Sequence, residues 1–434
     1  MRETMLRVAP SQRTLVDADG RDFFYLGDTA WELFHRLTFA EACRYLDRRA
    51  AQGFTVIQAV ILAELDGIHA PNAQGDTPFG DVERLIPNEA YFGHIDRVVR
   101  YANQRGLYMG LLPTWGDKWN LQWGRGPVIF DATNAYHYGV WLGRRYATAD
   151  VIWILGGDRH VETQVHHDII TQMAQGLTDG DGGTHLRTFH PMGQHSSSEY
   201  FHGSAWLDFN MLQSGHARNR DNWRSVADDY QRHPVKPCID GEPGYEDHPA
   251  GFRIEQGYLD DYDARKACYW ALCAGALGHT YGCHPVWQFW APHHGQPATW
   301  ARRAWHEALD LPGAGQMQHA KRVMLARNWQ ARIPDQGLIC DAPSEAAQYI
   351  AACRDESGSY AIVYVPASQT VLVDMTRLQP GDFVAHWYDP RHGTWHDGGR
   401  VAAGTALHRW QVPVGGPDWV LVIDAVAAGW PCAD

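Results

Sequence analysis

The sequence contains no apolar run near the ~18 residues that a membrane span needs. Its opening residues, MRETMLRVAPSQRTLVDADG, also lack the apolar stretch of about 7–15 residues found in a secretory signal. These absences predict no membrane contact and a cytoplasmic protein. Positive charge is short as well: 37 Lys and Arg stand against 50 Asp and Glu, for a formal net charge of −13. Nucleic acid is therefore not an expected partner, because phosphates are bound by clustered cations. The eight cysteines, at positions 43, 238, 268, 273, 283, 340, 353 and 432, form no C-x-x-C pair. That spacing speaks against a thiolate metal site and for buried free thiols.

Two further absences narrow the class. The first strand-like run ends in Gly27-Asp28-Thr29-Ala30-Trp31, not in a glycine-rich phosphate turn, which disfavours a doubly wound nucleotide-binding sheet. The same run has no H-x-H, and the His166-His167 pair has no acidic partner at ligand spacing, so no metal and no cofactor are expected.

What is present is apolar and aromatic. Hydrophobic residues make up 45% of the chain, enough for a full core, and 434 residues exceed one compact domain. The 19 Trp and 19 Tyr suit either core packing or stacking on sugar rings, and composition alone does not choose between them.

Eight short apolar runs punctuate the first three-quarters of the chain. They are Phe23–Gly27, Val56–Val60, Leu107–Pro113, Val151–Gly157, Arg187–Pro191, Leu207–Gln213, Pro237–Gly241 and Gly278–Gly282. Continuous apolar runs are how buried parallel strands read. Helical segments are expected between them, the first capped by Thr38 with Glu41 three residues on. The others are 89–104, 132–148, 161–175, 222–231, 261–276 and 298–309, with a helix-poor fifth crossover near 196–204. Eight strands with helices between them predict a (β/α)₈ barrel over residues 1–334. After Pro334, runs such as Tyr360–Val365, Phe383–Tyr388 and Trp419–Ile423 alternate with turns, and predict an antiparallel β-sandwich over 335–434.

Barrel active sites lie where strands end and loops begin. Asp158 and Glu242 each follow an apolar run and a glycine, on the fourth and seventh strands. Facing carboxyls at such positions suit a retaining glycosidase, in which one protonates the leaving oxygen while the other attacks, about 5–5.5 Å away. Either could instead be a structural carboxylate bonded to loop amides. Around this pair the strand ends offer Asp28, Trp31, Gln58, Trp115, Asp117, Trp119, His160, Gln213, His279, His284, Trp287 and Trp290 as candidate sugar contacts. Asp28 could equally cap a turn, the histidines could be structural, and Trp287 and Trp290 could pack a loop. Asp240 alternates with Glu242 and is expected to face the other way.

The segments GDTAWELFHRL, TVIQAVILAE, VIWILGGD, LDFNMLQSGH, KPCIDGEPGYE and GHTYGCHPVWQFW together resemble the apiosidase-like proteins of glycoside hydrolase family 140. The similarity runs from about Phe23 to about Trp290. It implies a clan A barrel and a retaining mechanism, with Asp158 matching the acid/base and Glu242 the nucleophile. Gly157-Asp158 stands where most clan A enzymes carry Asn-Glu. The missing Asn removes a usual partner of the sugar 2-hydroxyl, which points to a furanose or otherwise unusual glycone. The family's characterised activity implies release of apiose units from pectin. Two alternatives are a catalytically silent carbohydrate-binding barrel and a metal-dependent barrel hydrolase. Oligomeric state has no signal in the sequence.

Overall fold

The structure, a computed structural model, describes residues 5–431 apart from 342, 344 and 368. All eight apolar runs contain parallel strands: β1 (Tyr25–Thr29), β2 (Val56–Val60), β3 (Tyr108–Leu112), β4 (Val151–Gly156), β5 (Arg187–His190), β6 (Asn210–Gln213), β7 (Cys238–Asp240) and β8 (Gly278–Tyr281). Six of them form one ladder in the order β5-β4-β3-β2-β1-β8, and β6 pairs with β7. Main-chain bonds cross the two remaining seams. Asp208 N donates to Arg187 O at 2.9 Å beside β5 and β6, and Leu277 N to Cys238 O at 2.8 Å beside β7 and β8. The sheet thus curls into a barrel. β1, β2 and β4 are buried along their whole length, because each side chain faces either the barrel interior or a covering helix.

One end of the barrel is closed by a sheet that sequence patterning did not reveal. Arg7–Val8, Leu15–Val16 and Asp22–Phe23 form an antiparallel meander, and Leu6 and Leu15 pack onto Tyr25, Val56, Ile152 and Ile239. Phe23 therefore belongs to this cap, not to β1.

The helices follow the predicted caps. α1 (Phe39–Ala51) has the full capping box, with Thr38 N donating to Glu41 Oε2 at 2.9 Å and Glu41 N to Thr38 Oγ1 at 3.4 Å. α2 (Glu89–Gln104), α3 (Ala132–Tyr146), α4 (Gln164–Asp181), α5 (Asn222–Tyr230) and α6 (Asp261–Cys273) follow in order. The segment expected to be a helix at 298–309 is mostly irregular. Thr299 and Trp300 have φ of 48° and 64°, which interrupts it, and the long helix α7 (Pro312–Leu325) starts only at Pro312. Proline suits a first helical turn, where its missing N–H is not needed.

The C-terminal sheet begins at β9 (Arg332–Pro334) and continues through β10 (Ala351–Asp355), β11 (Tyr360–Val365), β12 (Thr370–Asp374), β13 (Phe383–Asp389), β14 (Thr394–Val401), β15 (Leu407–Gln411) and β16 (Trp419–Ala425). Six strands form an antiparallel sheet ordered β9-β10-β11-β16-β13-β14, and β12 pairs with β15 across a core that includes Val363, Val371, Trp410 and Leu421. β9, β10 and β14 were not evident from the sequence. Buried bidentate ion pairs join this domain to the barrel: Arg265 with Asp418 (2.8 and 3.0 Å) and Arg327 with Asp424 (2.7 and 2.6 Å). The seven described cysteines are free thiols, five of them buried, and Cys432 lies outside the described residues. No helix among the described residues is long and apolar enough to cross a membrane.

Candidate active site

The carboxyl ends of the strands open onto a cavity of about 580 Å³. Asp158 enters it from a turn that only this local sequence permits. Gly156, Gly157 and Asp158 all have positive φ, at 97°, 103° and 56°. A Cβ on Gly156 would sit 2.4 Å from His190 O, and one on Gly157 2.7 Å from Gly116 N. Aspartate tolerates the left-handed region better than most side chains, so Gly-Gly-Asp can end β4 in a tight, left-handed bend. The bend is tied down by Gly157 N to His190 O at 3.1 Å and by the Trp119 indole N–H to Gly156 O at 3.1 Å.

Glu242 enters from the end of β7, with its Oε2 2.8 Å from His190 Nε2 and its Oε1 3.3 Å from His216 Nε2. The His190 contact lies off the ring N–H direction, so it is electrostatic more than a formed hydrogen bond. His216 is in turn backed by His248, whose ring stacks on it at 4.3 Å. Asp240, the last residue of β7 and two before Glu242, turns away from the cavity and accepts from Ser214 Oγ at 2.7 Å and Asn222 Nδ2 at 3.0 Å. It braces the loop that carries His216.

The two carboxyls are driven apart electrostatically. Burial, then the charge of Glu242, pushes the Asp158 carboxyl up to about 6, against the pull of His190, Arg159 and His216. Burial would also raise Glu242, but the contacts of His190 and His216 outweigh it and hold Glu242 below the usual carboxylate range. One carboxyl therefore keeps a proton more readily while its neighbour stays ionised. That is the division of labour an acid and a nucleophile require.

Four of the twelve candidate sugar contacts line the cavity with the pair: Trp31, Trp115, Gln213 and Trp287. The other eight are placed elsewhere. Asp28 is fully buried on the helix side of β1, paired to Arg49 Nε at 2.6 Å and bonded by the Tyr45 hydroxyl. Gln58 spans the barrel interior below the site, bonded to the Tyr25 hydroxyl and to Gly241 O, both at 3.0 Å. Asp117 accepts the N–H groups of Arg125 and Gly126 at 3.1 and 2.8 Å, shaping the loop that presents Trp123. Trp119 lies beneath the Gly-Gly bend. His160 Nδ1 bonds the Tyr200 hydroxyl at 2.8 Å, and His279 is buried, with its imidazole pushed down to about 3 by that burial. His284 accepts the Trp287 indole N–H at 3.2 Å and so positions a wall residue without reaching the cavity itself. Trp290 bonds Gly295 O at 2.8 Å within its own loop. Strand alternation and loop direction decided each case, and neither is visible in residue type.

The structure adds cavity residues that were not singled out: Glu64, His216, Arg220, Tyr245 and His248, with His190 beside Glu242. His190 closes the fifth apolar run, a position comparable to that of Asp158. Glu64 lies four residues beyond β2 and carries no such signal.

Among known proteins, a family model described as the apiosidase-like catalytic domain matches residues 9–331. The chain belongs to the apiosidase-like family of glycosidases. A second model, described as the proposed collagen-binding domain of a collagenase, matches residues 333–424. Among solved structures this apiosidase-like chain is similar to a protein titled glycoside hydrolase, at 31% identity and a TM-score of 0.90, covering 99% of this chain and 98% of that one. It is also similar to a glycoside hydrolase family 5 protein from Bacteroides vulgatus, at 29% identity and a TM-score of 0.90, covering 99% and 95%. No curated protein matches the chain.

Proposed function

We propose that this glycosidase retains anomeric configuration and cleaves apiosides, or a related furanoside, in plant-derived glycans such as pectin. The observation that carries the mechanism is the opposite displacement of two carboxyls in one cavity, Asp158 upward and Glu242 downward. Glu242, ionised, attacks the anomeric carbon as the bond to the leaving oxygen breaks, and Asp158 gives that oxygen its proton. Asp158, now a carboxylate, takes a proton from water as the water oxygen displaces Glu242 from the anomeric carbon. Two inversions at one carbon give retention.

The furanoside reading rests on the family resemblance and on Gly157 standing where an Asn would contact a pyranose 2-hydroxyl. A pectic substrate is supported by Arg220, a cavity-wall guanidinium with no ion pair among the described residues. It supplies local positive charge despite the net −13. Proton NMR of the first-formed product from 4-nitrophenyl apiofuranoside, 4-nitrophenyl arabinofuranoside and pectic oligosaccharides tests both parts. Retained configuration is expected, with the apioside turned over fastest. Inverted product overturns Glu242 as nucleophile, and turnover unaffected by a chelator is expected in either case.

A further inference from the structure

We propose that Glu64 is a substrate-binding residue of this site, donating its carboxyl proton in a hydrogen bond to a hydroxyl of the sugar held between Asp158 and Glu242. The inference rests on the glycosidase reading of that pair and adds a third carboxyl to it.

Glu64 lines the same cavity as Asp158 and Glu242, and its side chain has no hydrogen-bond or ion-pair partner among the described residues. Its backbone, by contrast, is held on both sides. Lys118 Nζ, itself buried, donates to Ala63 O at 2.9 Å, and Leu65 N donates to the buried Glu32 Oε1 at 3.1 Å. Two residues earlier, Trp115 N donates to Leu62 O at 3.0 Å. A polar side chain on so fixed a segment, pointing into a cavity and bonded to none of the described residues, is placed to bond what enters.

The charges around it decide the form in which it does so. Asp158 faces it from the β4 bend, Glu32 from the loop after β1 and Asp117 from the loop after β3. Arg159 opposes them, but its two terminal nitrogens already have other partners. It donates to Asp158 O at 2.7 Å and Trp123 O at 2.6 Å, and lies 4.0 Å over the Trp123 ring. Burial first, then the Asp158 charge, pushes the Glu64 carboxyl up to about 8. At neutral pH it is an acid with an O–H to give. Asp158 and Glu242 cannot both supply that donor, since one must transfer its proton and the other must attack.

The test compares Glu64→Gln and Glu64→Ala with the unaltered full chain on 4-nitrophenyl apiofuranoside and 4-nitrophenyl arabinofuranoside. Glu64→Ala should raise KM and lower kcat/KM by about 10- to 100-fold at neutral pH. Glu64→Gln keeps a donor N–H and should stay within a few-fold of the parent, while removing a loss of binding that the parent should show as pH rises through about 8. Infrared difference spectra provide a readout that needs no turnover. A protonated-carboxyl band that Glu64→Gln removes, and that shifts when free apiose or arabinose is added, supports the proposal. Parent-like KM in Glu64→Ala, damage in Glu64→Gln equal to that in Glu64→Ala, or no such band at neutral pH overturns it. Failure of both aryl furanosides as substrates would count against the furanosidase reading, and the infrared result would still decide the role of Glu64.

Discussion

His190 holds Glu242 and the turn of Asp158 at once: its Nε2 lies 2.8 Å from Glu242 Oε2 while its Nδ1 accepts the backbone N–H of Asp158 at 3.3 Å. Because the Asp158 amide occupies Nδ1, Nε2 is the nitrogen that carries the ring hydrogen, with the Glu242 oxygen close by but off the N–H direction. The imidazole thus fixes the spacing of the two carboxyls through one rigid ring. His190→Ala should lower kcat/KM by about 10- to 100-fold. It should also move the acid limb of the pH profile upward, since Glu242 loses a contact that holds its pKa down. An unmoved acid limb would mean that His190 does not tune Glu242.

Asp158 must hold its proton to act, so kcat/KM should fall as pH rises through about 6. The charge of Glu242 is one reason that value is high. Glu242→Gln removes the charge, and the Asp158 carboxyl should then titrate lower, as followed by carbon NMR of labelled Asp. An upward or absent change would contradict the coupling between the pair.

Role assignment has its own kinetic signature. Glu242→Gln should cost at least about 10⁴-fold on every substrate, because no glycosyl-enzyme forms without the carboxylate. Asp158→Asn should slow natural substrates by about 10²- to 10⁴-fold but spare aryl glycosides, whose leaving group departs without a proton. Added azide should restore rate in Asp158→Asn by replacing the water that lacks a base. An active Glu242→Gln protein would rule out the assignment.

Trp287 and Trp290 separate wall from scaffold. Trp287 borders the cavity, whereas Trp290 spends its indole N–H on Gly295 O. Trp287→Phe should raise KM severalfold with little change in melting temperature. Trp290→Phe should leave KM unchanged. Equal effects on KM would show that cavity contact is not what distinguishes them.

At the domain junction, Asp418→Ala removes the partner of Arg265 Nε and Nη2 and leaves this guanidinium, whose side chain is 2% exposed, with Asp261 and Gln316 alone. Breaking a buried pair in this way costs about 3–5 kcal/mol. The unfolding midpoint should fall accordingly, while kcat of the folded protein stays near the parent value. A midpoint within error of the parent would mean that the junction contributes little.

The sequence by itself placed the barrel strands, because segments buried on both faces read as short, mostly apolar runs between turns, even where β5 and β8 carry polar residues that are also buried. It also put Asp158 and Glu242 forward, each directly after an apolar run and a glycine, but Asp28 stands after such a run and glycine in the same way. The capping residue Thr38 was equally local, and its helix starts where it stands. Which polar neighbours join the pair was decided only by the tertiary structure. Asp28 lies within β1 and Glu64 four residues past β2, and Asp28 turns outward to Arg49 while Glu64 lines the cavity. His190 and His216 reach Glu242 from β5 and from the loop after β6, a meeting set by barrel closure across 52 and 26 residues of chain. The N-terminal cap escaped notice for the same reason: its two-residue strands have too little pattern of their own, and burial against the barrel floor supplies what they lack.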